Sequence, residues 1–150
     1  MVHGVRYPAE ARTTVEAAGL RYQGWLPNHE APEVFARHRM TVHVPRRPYQ
    51  ALLPGIPTIR VFEALACGIP LICAPWRDAE GLFTPGEHYL VTNDCAQMTG
   101  LMRMLAHEPS AARELSLAGR QHILDRHSCA HRVDELFDVV RSLTPPREVA

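Results

Sequence analysis

Residues 57 to 75, PTIRVFEALACGIPLICAP, constrain the fold more than any other stretch. A helical pattern that is apolar nearly all the way round runs straight into PLICAP, a strand pattern that is apolar on both faces. Thr58 can cap the helix, and Gly68 with Pro70 ends it. At about 100° per residue, Ile59, Val61, Phe62, Ala64, Leu65 and Ala66 cover most of the circumference, and only Arg60, Glu63 and Cys67 share the remaining strip. Such a helix is buried on most sides. A strand without polar alternation is expected in a parallel sheet covered on both faces. Arg60 and Glu63, three residues apart, are placed to pair. The strip reads either as the solvent window of a covering helix or as a recessed, functional carboxylate.

The rest of the chain follows the same grammar. VHGVRY, LRYQGWL, MTVHVP and HYLVTN read as further strands, the third with Val42 and Val44 alternating about His43. PAEARTTVEAAG reads as a helix with Pro8 at its start and Gly19 past its end. APEVFARHR is a short helix. Three helices follow the last strand: one opened by the Asp94–Gln97 capping box, one starting at Pro109, and one capped by Ser128 with Val133, Leu136, Phe137 and Val140 in an apolar stripe. Strands alternating with helices predict an α/β, Rossmann-like parallel sheet of about five strands, covered by helices on both faces and followed by a helical C-terminal segment. One domain is expected over residues 1–143, with 144–150 a flexible tail.

Ligands of such sheets bind at the carboxyl ends of the strands, where helix N-termini present free N–H groups. The strip on the 57–67 helix begins there. A phosphate at the helix mouth, and a ribose whose two hydroxyls donate to a carboxylate one turn deeper, together describe a nucleotide. Arg46 and Arg47 follow the third strand at the same edge, as diphosphate ligands or as a solvated loop. Tyr49 in that loop stacks on a sugar or plugs the loop. His122, His127, Cys129 and His131 invite a metal reading, but Ser128 as a cap puts His127 outside the last helix and removes the shared ligand face. No metal is expected. The Pro85-Gly86-Glu87-His88 turn has a place at the sheet edge, and Met98, Met102 and Met104 read as core filler.

Composition narrows the classes. The chain has 150 residues and zero formal net charge with histidine neutral, so charge gives no argument for nucleic acid or an anionic membrane. No apolar run reaches the roughly 20 residues of a membrane span. MVHGVRYP lacks the pattern of a secretory signal, and the four cysteines form no CxxC pair, so a cytoplasmic location with reduced thiols is expected. A phosphoacceptor receiver domain is excluded because no acidic residue follows the first or third strand.

GIPTIRVFEALACGIPLICAPW resembles the donor-binding segment of GT-B glycosyltransferases of the group-1 superfamily, especially its spore-maturation-protein-like branch. The resemblance extends through LFTPGEHYLV to AHRVDEL and back through YQGWLPNHEAPEVFARHRMTVHVPRR. Its most specific part is Glu-Ala-Leu-Ala-x-Gly-x-Pro, residues 63 to 70. The resemblance implies that Glu63 holds the ribose hydroxyls, that the backbone N–H groups of Thr58 and Ile59 meet the diphosphate, and that Trp25 and Leu26 flank the nucleobase. Arg60 occupies a branch-specific arginine. It implies a nucleotide-sugar as substrate, no metal cofactor, and an acceptor-binding N-terminal half supplied from outside this chain, which would be inactive alone.

Two departures stand out. Where many group-1 enzymes carry a second acid, eight positions before the glutamate, this chain has Gly55. The usual first strand-helix unit also has no counterpart, so an open edge and self-association are expected. The alternative reading is a non-catalytic, degenerate donor domain acting as a protein interaction module.

Overall fold

The computed structural model describes residues 1–45, 51–53 and 55–143. The five expected strands are present, all pairing in parallel, two in one compact unit and three in another. The first unit, Met1–Arg37, contains β1 (Val2–His3), α1 (Ala9–Ala17), β2 (Tyr22–Gly24), a 3₁₀ turn (Asn28–Glu30) and α2 (Ala31–Ala36). Gly19 follows α1 at φ 72°, a left-handed position that a glycine takes without strain.

The second unit starts at His38 and holds β3 (Thr41–His43), α3 (Ile59–Ala66), β4 (Leu71–Cys73), β5 (Leu90–Val91), α4 (Cys95–His107), α5 (Pro109–Arg126) and α6 (Cys129–Leu143). Its sheet runs β3-β4-β5 with β4 in the middle, Val42 opposite Ile72 and His43 opposite Cys73. Leu71, Ile72 and Cys73 are all buried. Successive strand residues point to opposite faces, so both faces of β4 are covered, as its sequence requires. The architecture is therefore of the expected α/β class.

The helix between β3 and β4 forms where the sequence places it. Val61, Ala64 and Leu65 are its buried face. Its end is a Schellman motif: Gly68 N–H donates to Leu65 O at 3.0 Å and Ile69 N–H to Ala64 O at 3.2 Å, with Gly68 at φ 66°. α5 passes close by at Gly119. A Cβ there would stand 2.8 Å from both Leu65 Cδ2 and His88 O, so only glycine permits the approach.

Two apolar patterns have other destinations than the sequence suggests. Ile59, counted with the apolar face of α3, is the first residue of that helix and is 65% exposed. On α6, Leu136 is 61% exposed and Phe137 53%, and no residue of α6 is buried. Met98 and Met104 pack against the Ile72–Leu105–Leu115 cluster, whereas Met102 is 40% exposed. Residues 144–150, expected as a tail, lie outside the described residues.

Candidate functional site

The carboxyl ends of β3 and β4 and the start of α3 enclose a cavity of about 170 Å³, lined among others by His43, Gly55, Thr58, Val61, Trp76 and Arg77. It opens where an alternating parallel sheet is expected to bind its ligand. Thr58 occupies the N-cap position of α3 with the extended backbone of a capping residue, φ −81° and ψ 150°. Its side chain makes no cap hydrogen bond. The hydroxyl instead lies 2.8 Å from His43 Nε2, and the other ring nitrogen, Nδ1, lies 3.2 Å from Cys73 Sγ. Sequence alone suggests a capping hydroxyl; a better-placed imidazole takes it.

His43 went unrecognised in the sequence, where it appears only as the middle of an alternation. The alternation sets a period of two but not its phase. Val42 is 41% exposed and Val44 66%, while His43 is half-buried and faces the cavity. Burial, and secondarily the Arg60 charge, push its imidazole below the ordinary histidine range, so it is neutral near pH 7. Burial also pushes the Cys73 thiol up to about 12, which keeps it protonated beside the ring.

About one turn along α3 lies the strip predicted from periodicity. Arg60 Nη1 donates to Glu63 Oε2 at 2.6 Å. The Glu63 side chain is 20% exposed and that of Arg60 54%, so the carboxylate is recessed and its partner reaches into solvent. Cys67, the third member of the strip, has its thiol raised by burial and then by the Glu63 charge. Thr58, Ile59, Arg60 and Glu63 thus share one short helix at the sheet edge. Trp25, 71% exposed, and Leu26, half-buried, belong to the first unit, just past β2. Arg46, Arg47 and Tyr49 lie outside the described residues. Arg77, on the loop after β4, is a cavity-lining cation that the sequence did not single out, because nothing in its local pattern marks it.

Gly55 has a physical reason to be glycine. Its φ is +93°, and a Cβ would stand 2.7 Å from Ala79 Cβ, on the loop that follows β4. No acidic side chain fits there without displacing that loop.

His88, His122 and His127 pack against one another. His122 Nε2 donates to Leu82 O at 2.6 Å and lies 3.3 Å from His127 Nε2, and His88 stacks on His122 with centroids 3.9 Å apart. His88 is buried and its Nδ1 accepts from Thr84 N–H at 3.0 Å, so it is turned inward from the 85–88 turn. His131 Nδ1 lies 2.7 Å from Ser128 Oγ. No group of three or more His, Cys, Asp or Glu able to hold a metal occurs among the described residues. Nor is any helix among them long and apolar enough to cross a membrane.

A family model described as "Glycosyl transferase-like" matches residues 1–138. No curated protein matches the chain. Among solved structures, sucrose-phosphate synthase from Thermosynechococcus elongatus is similar with a TM-score of 0.74 at 18% identity, over 94% of this chain and 37% of that one. HepE from Anabaena, in complex with UDP-glucose, is similar with a TM-score of 0.74 at 14% identity, over 89% of this chain and 36% of that one. Its complex with UDP gives a TM-score of 0.71 at 13% identity, over 89% and 35%. The chain therefore spans little more than a third of the length of these structures. Their fold is the GT-B fold that the 57–75 segment led us to expect.

Proposed function

This chain belongs to the glycosyl transferase-like family, and from that premise we propose that residues 1–143 serve as the donor-binding domain of a glycosyltransferase, holding a nucleoside-diphosphate sugar. The observation that carries this reading is the arrangement of α3. An N-cap whose hydroxyl is turned aside stands at its mouth, and a recessed carboxylate stands five residues on, about 7 Å further along the axis. The first N–H groups and the positive end of the helix suit a diphosphate. Glu63 suits two ribose hydroxyls, which donate to its oxygens. The UDP and UDP-glucose held by the structurally similar HepE support the same ligand class.

In this reading the chemistry is assistance to a departing diphosphate. Negative charge builds on the bridging oxygen as the glycosidic carbon is transferred, and preorganised donors that face that oxygen lower the barrier. The helix start, Arg77 and the two arginines Arg46 and Arg47 would supply them without a metal. The acceptor, and any base that activates it, would come from a separate N-terminal half.

Gly55 favours a second reading. With the sugar-side acid sterically excluded, a non-catalytic domain retained as an interaction module is the alternative. Calorimetric titration with UDP, GDP and their sugar conjugates separates the two. Binding at micromolar concentration or below that disappears in Glu63→Ala supports the donor domain. Silence across the panel supports the module.

A further inference from the structure

We propose that His43 is a positioning residue that holds the Thr58 hydroxyl away from the start of α3, leaving the Arg60 N–H open to an anionic group of the ligand. The inference rests on the donor-domain reading and extends it to a residue outside the α3 strip. Two other helix starts among the described residues carry a side-chain cap. Asp94 accepts from Gln97 N–H at 2.7 Å at the start of α4, and Ser128 Oγ accepts from His131 N–H at 3.5 Å at the start of α6. Thr58 has the residue type and the backbone conformation to do the same, and its hydroxyl is engaged elsewhere. Among these three helix starts, that of α3 is the one lining the cavity at the strand ends.

The hold on Thr58 is built from the sheet. The β3–β4 register sets His43 opposite Cys73, and Ala74 N–H donates to His43 O at 2.9 Å. With Cys73 Sγ beside Nδ1 and Thr58 Oγ1 beside Nε2, both ring nitrogens are occupied and the imidazole has one orientation. In either tautomer the pairing holds the threonine side chain in an orientation from which its oxygen makes no cap hydrogen bond and leaves the Arg60 N–H unused; the Val61 N–H donates to Thr58 O at 3.1 Å. Removing the imidazole releases the hydroxyl to cap the helix, where it competes with an incoming phosphate.

The test titrates UDP and inorganic pyrophosphate into the wild type, His43→Ala, and His43→Ala combined with Thr58→Ala. We expect His43→Ala to weaken binding roughly fivefold, the scale of competition from one cap hydrogen bond, and the double variant to regain most of that loss. An unchanged affinity in His43→Ala, or a double variant as weak as the single one, overturns the proposal. Hydrogen exchange in the ligand-free protein gives a second readout, since His43→Ala should slow exchange at the Arg60 amide. Unaltered exchange there also overturns it. A wild type that takes pyrophosphate but not UDP ends the donor reading alone and leaves His43 to be judged on pyrophosphate; a wild type that takes neither ends both.

Discussion

Glu63 Oε2 accepts a 2.6 Å hydrogen bond from Arg60 Nη1, one turn nearer the mouth of α3, and the acceptor is far more recessed than the donor. The asymmetry separates stability from binding. Arg60 is more than half exposed, so Arg60→Ala should cost no more than about 1 kcal/mol in urea denaturation. Glu63→Ala should leave the fold equally intact yet weaken UDP at least about tenfold by calorimetry, the scale of hydrogen bonds to a charged group. Equal UDP affinity in the wild type and Glu63→Ala would remove Glu63 from the site.

Gly55→Glu tests why the second acid is missing. The new side chain needs a positive φ and meets Ala79 Cβ, so the variant should unfold at lower urea by about 1–3 kcal/mol. Adding Ala79→Gly removes the clash but not the backbone strain, and should recover part of the loss. Full stability in Gly55→Glu alone would show that the loop after β4 yields.

Gly119→Ala probes the approach of α5 to α3. In an isolated helix the change is favourable, since alanine is the better helix former. Here the methyl group would press on Leu65 and on the His88 carbonyl, so a net loss of about 1–3 kcal/mol is expected in the same denaturation measurement. A gain would mean that the helices separate at little cost.

Acid should loosen the second unit through its histidines. Burial first, then the neighbouring His122, push His88 and His127 below the ordinary histidine value, with Glu87 opposing the shift at His88; at His127 the Leu82 carbonyl opposes it and Arg132 and Arg126 add to it. His43 shifts the same way. The unfolded chain therefore binds more protons than the folded one as pH falls through about 6.5, and stability declines from there until the folded histidines also protonate. The urea midpoint should be flat near pH 8 and fall between about pH 7 and 5, with a shallower fall in His88→Gln. A midpoint rising on acidification would contradict the sign.

Two leucines that look alike in sequence should behave oppositely. Leu65 is 1% exposed and Leu65→Ala should cost about 2–5 kcal/mol, whereas Leu136 is 61% exposed and Leu136→Ala should cost under about 0.5 kcal/mol. A large loss at Leu136 would show that the α6 stripe is covered in solution.

Much of this was already written in the local pattern. The buried face of α3, the glycine that ends it, the both-sided burial of β4, the Asp94 cap and the Arg60–Glu63 pair all follow from spacing along one element, which a periodic backbone converts directly into direction. Other features depend on which surfaces meet, and no single element contains that information. Ile59, Leu136 and Phe137 are apolar residues left more than half exposed; Thr58 carries a capping hydroxyl drawn off by a histidine fifteen residues upstream; Gly55 is fixed by Ala79 and Gly119 by Leu65. Sequence by itself determined the elements, the class and the helix that bears the carboxylate, because short-range sterics and hydrophobic period act within a few residues. The phase of β3, the imidazole at the cavity and the crowding that forbids a second acid were decided only by tertiary packing, because each depends on contacts between segments that are distant in the chain.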